Sequence, residues 1–356
     1  MNRFVQLHLL TFYPPSNLNR DDTGKPKTAV VGGATRLRVS SQSLKRAWRT
    51  SEIAEKILLG HLGERTQRIG AVVLEHLAEK VDPTKALEIA REVASAFGKV
   101  KSDKDANPEF TEQLAFISPE ERTTALAYAD ARASGEKAAE EKKGLAEALL
   151  RKTDTAADIA MFGRMLADSP DFNREAAVQV AHAITTHKVV VDDDYYTAVD
   201  DLKTAAEDAG AGFIGETGFG SGVFYLYINV DRALLLKNLG GDTGVAKKAI
   251  EALLRAAATV GPRGKSASFA SFARAQFILA ERGDAAPRTL AGAFLHPIDH
   301  RARDADPMSA SIDALEKTRE NFAKVYGDEG AAHTTMNALD GAGSLAQIVA
   351  FALEGL

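Results

Sequence analysis

The sequence predicts an α+β protein carrying long insertions. Residues 4–12, 36–40 and 223–230 alternate or run apolar as strands do. Residues 66–188 place apolar side chains at helical spacing almost throughout. Strand, helix, then more strands and helix follow in an order compatible with a ferredoxin-like core. The pattern leaves the sheet topology open.

In chain order, residues 4–12 set Val5, Leu7 and Leu9 against Gln6 and His8, and Tyr13-Pro14-Pro15 is expected to end that strand. Residues 13–35 read as one long polar loop. Loops of that length in a compact domain are usually functional or disordered, and Arg20 and Lys27 favour function. A strand at 36–40 leads into a helix over 41–62, with Ser40 or Ser41 as N-cap. Leu44, Ala47 or Trp48, Ser51, Ala54 and Leu58 share one face of it.

In the helical block, Ile69, Val72, Val73, Leu77 and Val81 form one face and Ala86, Ile89, Val93 and Phe97 another. Residues 188–191 read as a strand and Asp192-Asp193-Asp194 as a solvated turn. The glycines at 210–212 and 215–222 read as flexible punctuation, and residues 188–223 as a hairpin that leaves the core and returns. Helices are expected near 231–239 and 243–259, a short strand near 275–279, and terminal helices near 308–325 and 344–354. There is no internal repeat.

With 356 residues the chain can bury a large core and divide into two or three parts. It has no cysteine, which suits a reducing cytoplasm and excludes disulfides and thiolate metal sites. It reads without a signal peptide, and no apolar run approaches membrane-spanning length.

Charge is unevenly placed. The first fifty residues hold nine Lys or Arg and only Asp21 and Asp22 as acids, a local charge of +7. The whole chain is −5, so the other 306 residues carry −12. A basic island in an acidic chain points to a confined polyanion site and argues against a free, nonspecific nucleic-acid binder. At the helix start, Lys45, Arg46 and Arg49 join Ser40 and Gln42 where free N–H groups also favour anions. With Arg20 and Lys27 from the loop, these residues are expected to hold phosphates. The competing reading is a solvated helix face.

Other constellations carry less. His182 and His187 are five apart with no glutamate between, which is wrong for a helical zinc pair; core packing or turn hydrogen bonds are expected. Three successive aspartates cannot all face one ion from an extended strand. The stretch 215–222 lacks the Lys-Ser/Thr end of a phosphate-binding loop. No metal or other cofactor is expected.

Several words then carry a family resemblance. They are Leu18-Asn19-Arg20-Asp21-Asp22, the run from Arg38 to Ala47 (RVSSQSLKRA), and Ala181-His182-Ala183-Ile184-Thr185-Thr186-His187. Tyr195-Tyr196-Thr197-Ala198-Val199-Asp200-Asp201-Leu202 and Ser221-Gly222-Val223-Phe224-Tyr225 follow in order. Together they resemble the CasC family, the backbone subunits of the type I-E CRISPR Cascade complex. The resemblance implies a ferredoxin-like, RRM-type palm (1–65 and 224–356), an inserted helical fingers lobe (66–187) and a β-hairpin thumb (188–223).

It also implies that Tyr195, Tyr196 and Thr197, with Arg164 and Met165 of the Gly163-Arg164-Met165 triplet, meet RNA by wedging against displaced bases. Lys137, Lys142 and Lys143 could touch duplex DNA, though Glu136, Glu140 and Glu141 interleave with them. The implied role is non-catalytic antiviral defence in a cytoplasmic ribonucleoprotein. The implied partners are crRNA, target DNA, further copies in a head-to-tail filament, and the CasA, CasB, CasD and CasE subunits. Related type III backbone subunits cut RNA with a loop aspartate, so the alternative is a guide-directed ribonuclease using Asp21 or Asp22 with a divalent metal.

Overall fold

A computed structural model describes residues 2–137, 142–198, 213–299, 306–327 and 331–356. The chain is a mixed α/β protein with a large antiparallel sheet, and it divides into two compact units. The first comprises residues 1–53, 180–229 and 253–355; the second comprises 54–179 and 230–252, with residue 356.

The first unit holds β1 (Phe4–Ser16), β2 (Thr28–Val31), β3 (Ala34–Val39) and α1 (Ser41–Arg49). In the second lie α3 (Ile69–Leu77), α4 (Pro83–Phe97), α5 (Pro119–Ala133), α6 (Lys142–Leu149) and α7 (Ala157–Phe162), with a small hairpin of β4 (Glu64–Thr66) and β5 (Ala115–Ile117). The short α2 (Glu52–Ile57) and β6 (Val178–Val180) stand where the chain passes between units. Next come β7 (Ala183–Thr185), β8 (Asp192–Ala198), β9 (Phe213–Asp231), α8 (Arg232–Asn238), α9 (Thr243–Thr259), α10 (Ser266–Phe269) and β10 (Phe277–Gly283). The chain closes with α11 (Pro307–Tyr326), β11 (Ala332–Asn337) and α12 (Leu345–Leu353).

The sheet order is β11-β10-β1-β9-β7-β3-β2, with β8 also paired to β9. Its register sets Leu7 opposite Ala280, Arg38 opposite Ile184, and Ile184 opposite Tyr225. Leu10, Tyr225, Phe277, Leu279, Phe294 and Leu315 form a core against it. One buried charge cluster lies in this unit. Glu281 accepts two bonds from Arg288, one from Arg319 and one from His8 Nε2. The second unit closes around Val73, Leu77, Ile89, Val93, Phe97 and Leu149.

Several expectations are corrected. Strand β1 continues through Pro14 and Pro15. Its pairing with β10 ends at Leu10, so neither proline is asked for a ladder bond on that side. The predicted loop at 13–35 contains β2, and the predicted strand at 188–191 is displaced to β8, so the three aspartates lie in a strand. Glycines 215, 218, 220 and 222 lie within the 19 residues of β9. Three of them mark close approach: a Cβ would stand 3.0 Å from Pro26 at Gly218, 2.9 Å from Leu37 at Gly220 and 2.7 Å from His187 at Gly222. The expected helix 41–62 breaks after Arg49. There Thr50 Oγ1 takes the carbonyl of Arg46, and Ser51 Oγ that of Trp48. The residues expected on its apolar face are nonetheless buried. Block 66–188 is interrupted by β4–β7. The end of the sequence word at 199–202, and residues 210–212 with Gly210 and Gly212, lie outside the described residues.

Candidate nucleic-acid interface

Residues 17–27 form an ordered loop. Asp21 Oδ1 accepts bonds from the backbone N–H of Thr23 and Lys25 and from the Thr23 hydroxyl. The hydroxyl bond leads in holding the Asp21 carboxyl below the usual range. Asn17 Nδ2 donates to the carbonyls of Gly24 and Gly218, tying the loop to β9. Asn19 bridges outward twice: its carbonyl accepts from Lys27 N, and its Oδ1 from Ser40 N. Ser40 is the N-cap of α1, its hydroxyl accepting from Ser43 N at 3.3 Å. Loop and helix start are therefore one hydrogen-bonded piece.

Leu44, Ala47 and Trp48 bury one face of α1, and Trp48 Nε1 donates to the carbonyl of Val260. Gln42 and Arg46 are left exposed, with Lys45 and Arg49 half-buried. Burial pushes the Lys45 ammonium down, a cation for which a nearby anion would compensate lost water. Between loop and helix opens a cleft of about 800 Å³ lined by Arg20, Asp21, Asp22, Ser43, Arg46, Thr50 and Arg263. Arg263, missing from the sequence reading, donates to the Thr50 carbonyl. The adjoining Gly264 lies so close to the carbonyls of Asn17 and Leu18 that a Cβ has no room. Nothing near Arg263 in sequence marks it; only the fold brings it to α1.

A second cationic group lies beside the cleft. The Lys27 carbonyl accepts from Arg38 N, and Arg38 Nη1 donates to His182 Nδ1 at 2.8 Å. His182 is exposed, contrary to its expected role in the core, whereas His187 does make turn bonds, Nδ1 donating to the Lys188 carbonyl. Burial, then Arg38 and Lys27, lower the proton affinity of His182.

The β8–β9 pair carries the predicted aromatics. Tyr195 is 65% and Tyr196 44% exposed, opposite Glu216 and Gly215, and Thr197 is exposed too. The strand pair is pinned to the loop by Lys25, whose Nζ lies 3.0 Å from Asp193, and to the segment before α10 by Lys265, which donates to Thr217.

Two basic residues face inward instead. Arg164 is buried: its guanidinium donates to Glu121 Oε2 at 2.6 Å and to the carbonyls of Phe116, Arg151 and Phe172. Its neighbour Met165 is 80% exposed, so only half of the predicted pair is presented. Arg36, counted in the basic island, is buried and donates to the carbonyls of Thr185 and Phe294. Leu37 and Val39 are buried as a half-buried strand requires, and Arg36 is buried with them because backbone carbonyls accept its guanidinium donors. The lysine-rich run gives little geometry: Lys137 and Lys143 are exposed, while residues 138–141 lie outside the described residues. Among the described residues no cluster of His, Asp and Glu could hold a metal, and no helix is long and apolar enough to cross a membrane.

The first unit thus carries most of a large antiparallel sheet, a cleft at which Arg20, Arg46 and Arg263 meet beside Asp21 and Asp22, and the exposed rings of Tyr195 and Tyr196 on β8. The chain belongs to the Cas_CT1975 family of CT1975-like proteins, whose model matches residues 5–353. Its fold matches a chain of a "CRISPR RNA-guided surveillance complex, pre-nicking", with TM-score 0.85 and 31% identity, covering 99% of this chain and 100% of that one. A chain of a "CRISPR RNA-guided surveillance complex" matches with TM-score 0.74, 27% identity and the same coverages. No curated protein sequence shows significant similarity.

Proposed function

We propose that this chain is a non-catalytic, crRNA-binding backbone subunit of a CRISPR surveillance complex of the CasC kind. The observation that carries the reading is the cleft in which Arg20, Arg46 and Arg263 converge, in a chain matching surveillance-complex chains end to end. Cations aimed at a strand's phosphates fix position without reading sequence. A subunit that must accept every guide needs that indifference, because base pairing supplies the specificity.

In this reading residues 1–65 and 224–356 act as an RRM-type palm, 66–187 as fingers and 188–223 as a thumb. Tyr195, Tyr196 and Met165 stack on or wedge against bases. Copies associate head to tail, a heterologous contact that builds an open filament, so other subunits must cap it. CasA, CasB, CasD and CasE are the proposed neighbours, target DNA the ligand of the loaded complex, and the cytoplasm its compartment.

Asp21 supports the non-catalytic reading, since its Oδ1 already serves three donors of its own turn. Guide-loaded protein, free of nuclease partners, should leave end-labelled complementary RNA and DNA intact in magnesium or manganese. Regularly spaced products that vanish in Asp21→Ala or Asp22→Ala would replace the proposal with the ribonuclease.

A further inference from the structure

Resting on the reading of this chain as an RNA-backbone binder, we infer that Lys27, Arg38 and His182 form a second phosphate contact, one that takes up a proton when the strand binds. Three chain segments deliver these groups to one place. Lys27 ends the ordered loop, Arg38 lies in β3, and His182 immediately precedes β7, whose Ala183 pairs with Val39. Backbone bonds fix the spacing: Arg38 N donates to the Lys27 carbonyl at 2.8 Å, and Lys27 N to the Asn19 carbonyl at 2.8 Å. Asn19 lines the main cleft and holds Ser40 N, so the patch continues that cleft across the sheet.

The tautomer of His182 follows from its partner. A guanidinium has donors only, so the imidazole atom 2.8 Å from Arg38 Nη1 must accept. Nδ1 is then unprotonated, and Nε2 carries the hydrogen. The exposed ring thus offers an N–H beside two cations, a set of donors that suits a phosphate oxygen.

Among the described residues, the charged groups acting on His182 are Arg38 from β3 and Lys27 from the loop, both positive. Together with partial burial they disfavour a second proton on the free protein's imidazole. A phosphate seated among the three reverses the local field: the Arg38 guanidinium turns its donors onto the phosphate oxygens, which frees Nδ1 to take a proton from solvent while Nε2–H donates to the phosphate. The free value lies below the ordinary histidine value and the bound value above the free one, so binding draws in a proton at any pH between them. Affinity must therefore rise as pH falls through that interval and level off beyond it. Each unit of separation adds up to about tenfold.

The test uses the full chain and a labelled, mixed-sequence single-stranded RNA. Affinity is measured at fixed salt from about pH 8 to about pH 5.5, the range that a histidine covers. The parent's association constant should climb severalfold on descending, and His182→Gln should lose that climb. Alongside, NMR titration of the His182 ring in the parent should show its pKa moving up when RNA is added, a readout independent of the variant's folding. Parallel pH profiles for parent and variant, or an unmoved ring pKa, overturn the inference while leaving RNA binding intact. A parent that binds no RNA at any pH instead overturns the reading beneath it.

Discussion

Replacing Arg20, Arg46 and Arg263 together by alanine removes three cations from one cleft while touching no core side chain. The consequence can be sized. Each single-strand phosphate neutralised contributes about 0.7 to the log–log slope of affinity against salt, so three should lower it by about 2. Across a fourfold rise in salt the variant should then lose about 20-fold less affinity than the parent does. Asp22, on the cleft wall, opposes the arginines and makes that figure an upper value, whereas Asp21 is turned into its own loop. The assay is fluorescence anisotropy with several unrelated single-stranded RNAs at about 50 to 200 mM salt. Equal loss on every sequence is expected. An unchanged slope, or a loss confined to particular sequences, would refute backbone holding by this cleft.

Arg164→Ala leaves Glu121 buried without its guanidinium and should cost about 3–5 kcal/mol in urea unfolding; lost RNA affinity at unchanged stability would restore Arg164 as a surface contact. Tyr195→Ala with Tyr196→Ala should leave the thermal midpoint nearly unchanged, since both rings are exposed, and weaken ordered RNA assembly by about 1–3 kcal/mol per unstacked base. Acid should destabilise the first unit through Glu281. Burial alone would raise that carboxyl, but bonds from His8 and Arg288 win and hold it at about 2. The stabilisation, about 3 kcal/mol, is complete above the ordinary carboxylate value and lost as pH falls from there towards about 2. Glu281→Gln should flatten that part of the acid unfolding curve.

The sequence alone revealed that a helix starts after Ser40 or Ser41, and the cations Lys45, Arg46 and Arg49 in its first turns, because those residues are contiguous and their periodicity is local. It did not reveal Arg263 or the pairing of Arg38 with His182, since each meets its partners across more than a hundred residues of chain. Arg36 and Arg164 misled for a related reason. A basic residue reads as surface unless its acceptors are known, and theirs are carbonyls and a glutamate supplied by distant segments. Strand β9 was obscured by its glycines; at Gly218, Gly220 and Gly222 a neighbouring segment occupies the space of a side chain.

Purification of the tagged full-length chain from cells that carry a CRISPR locus, followed by sequencing of the RNA that accompanies it, tests the central claim most directly. Short RNAs of uniform length, with constant ends around variable middles, should accompany it in a particle much larger than one chain. Recovery of the protein without RNA, or with random cellular fragments, would contradict that claim.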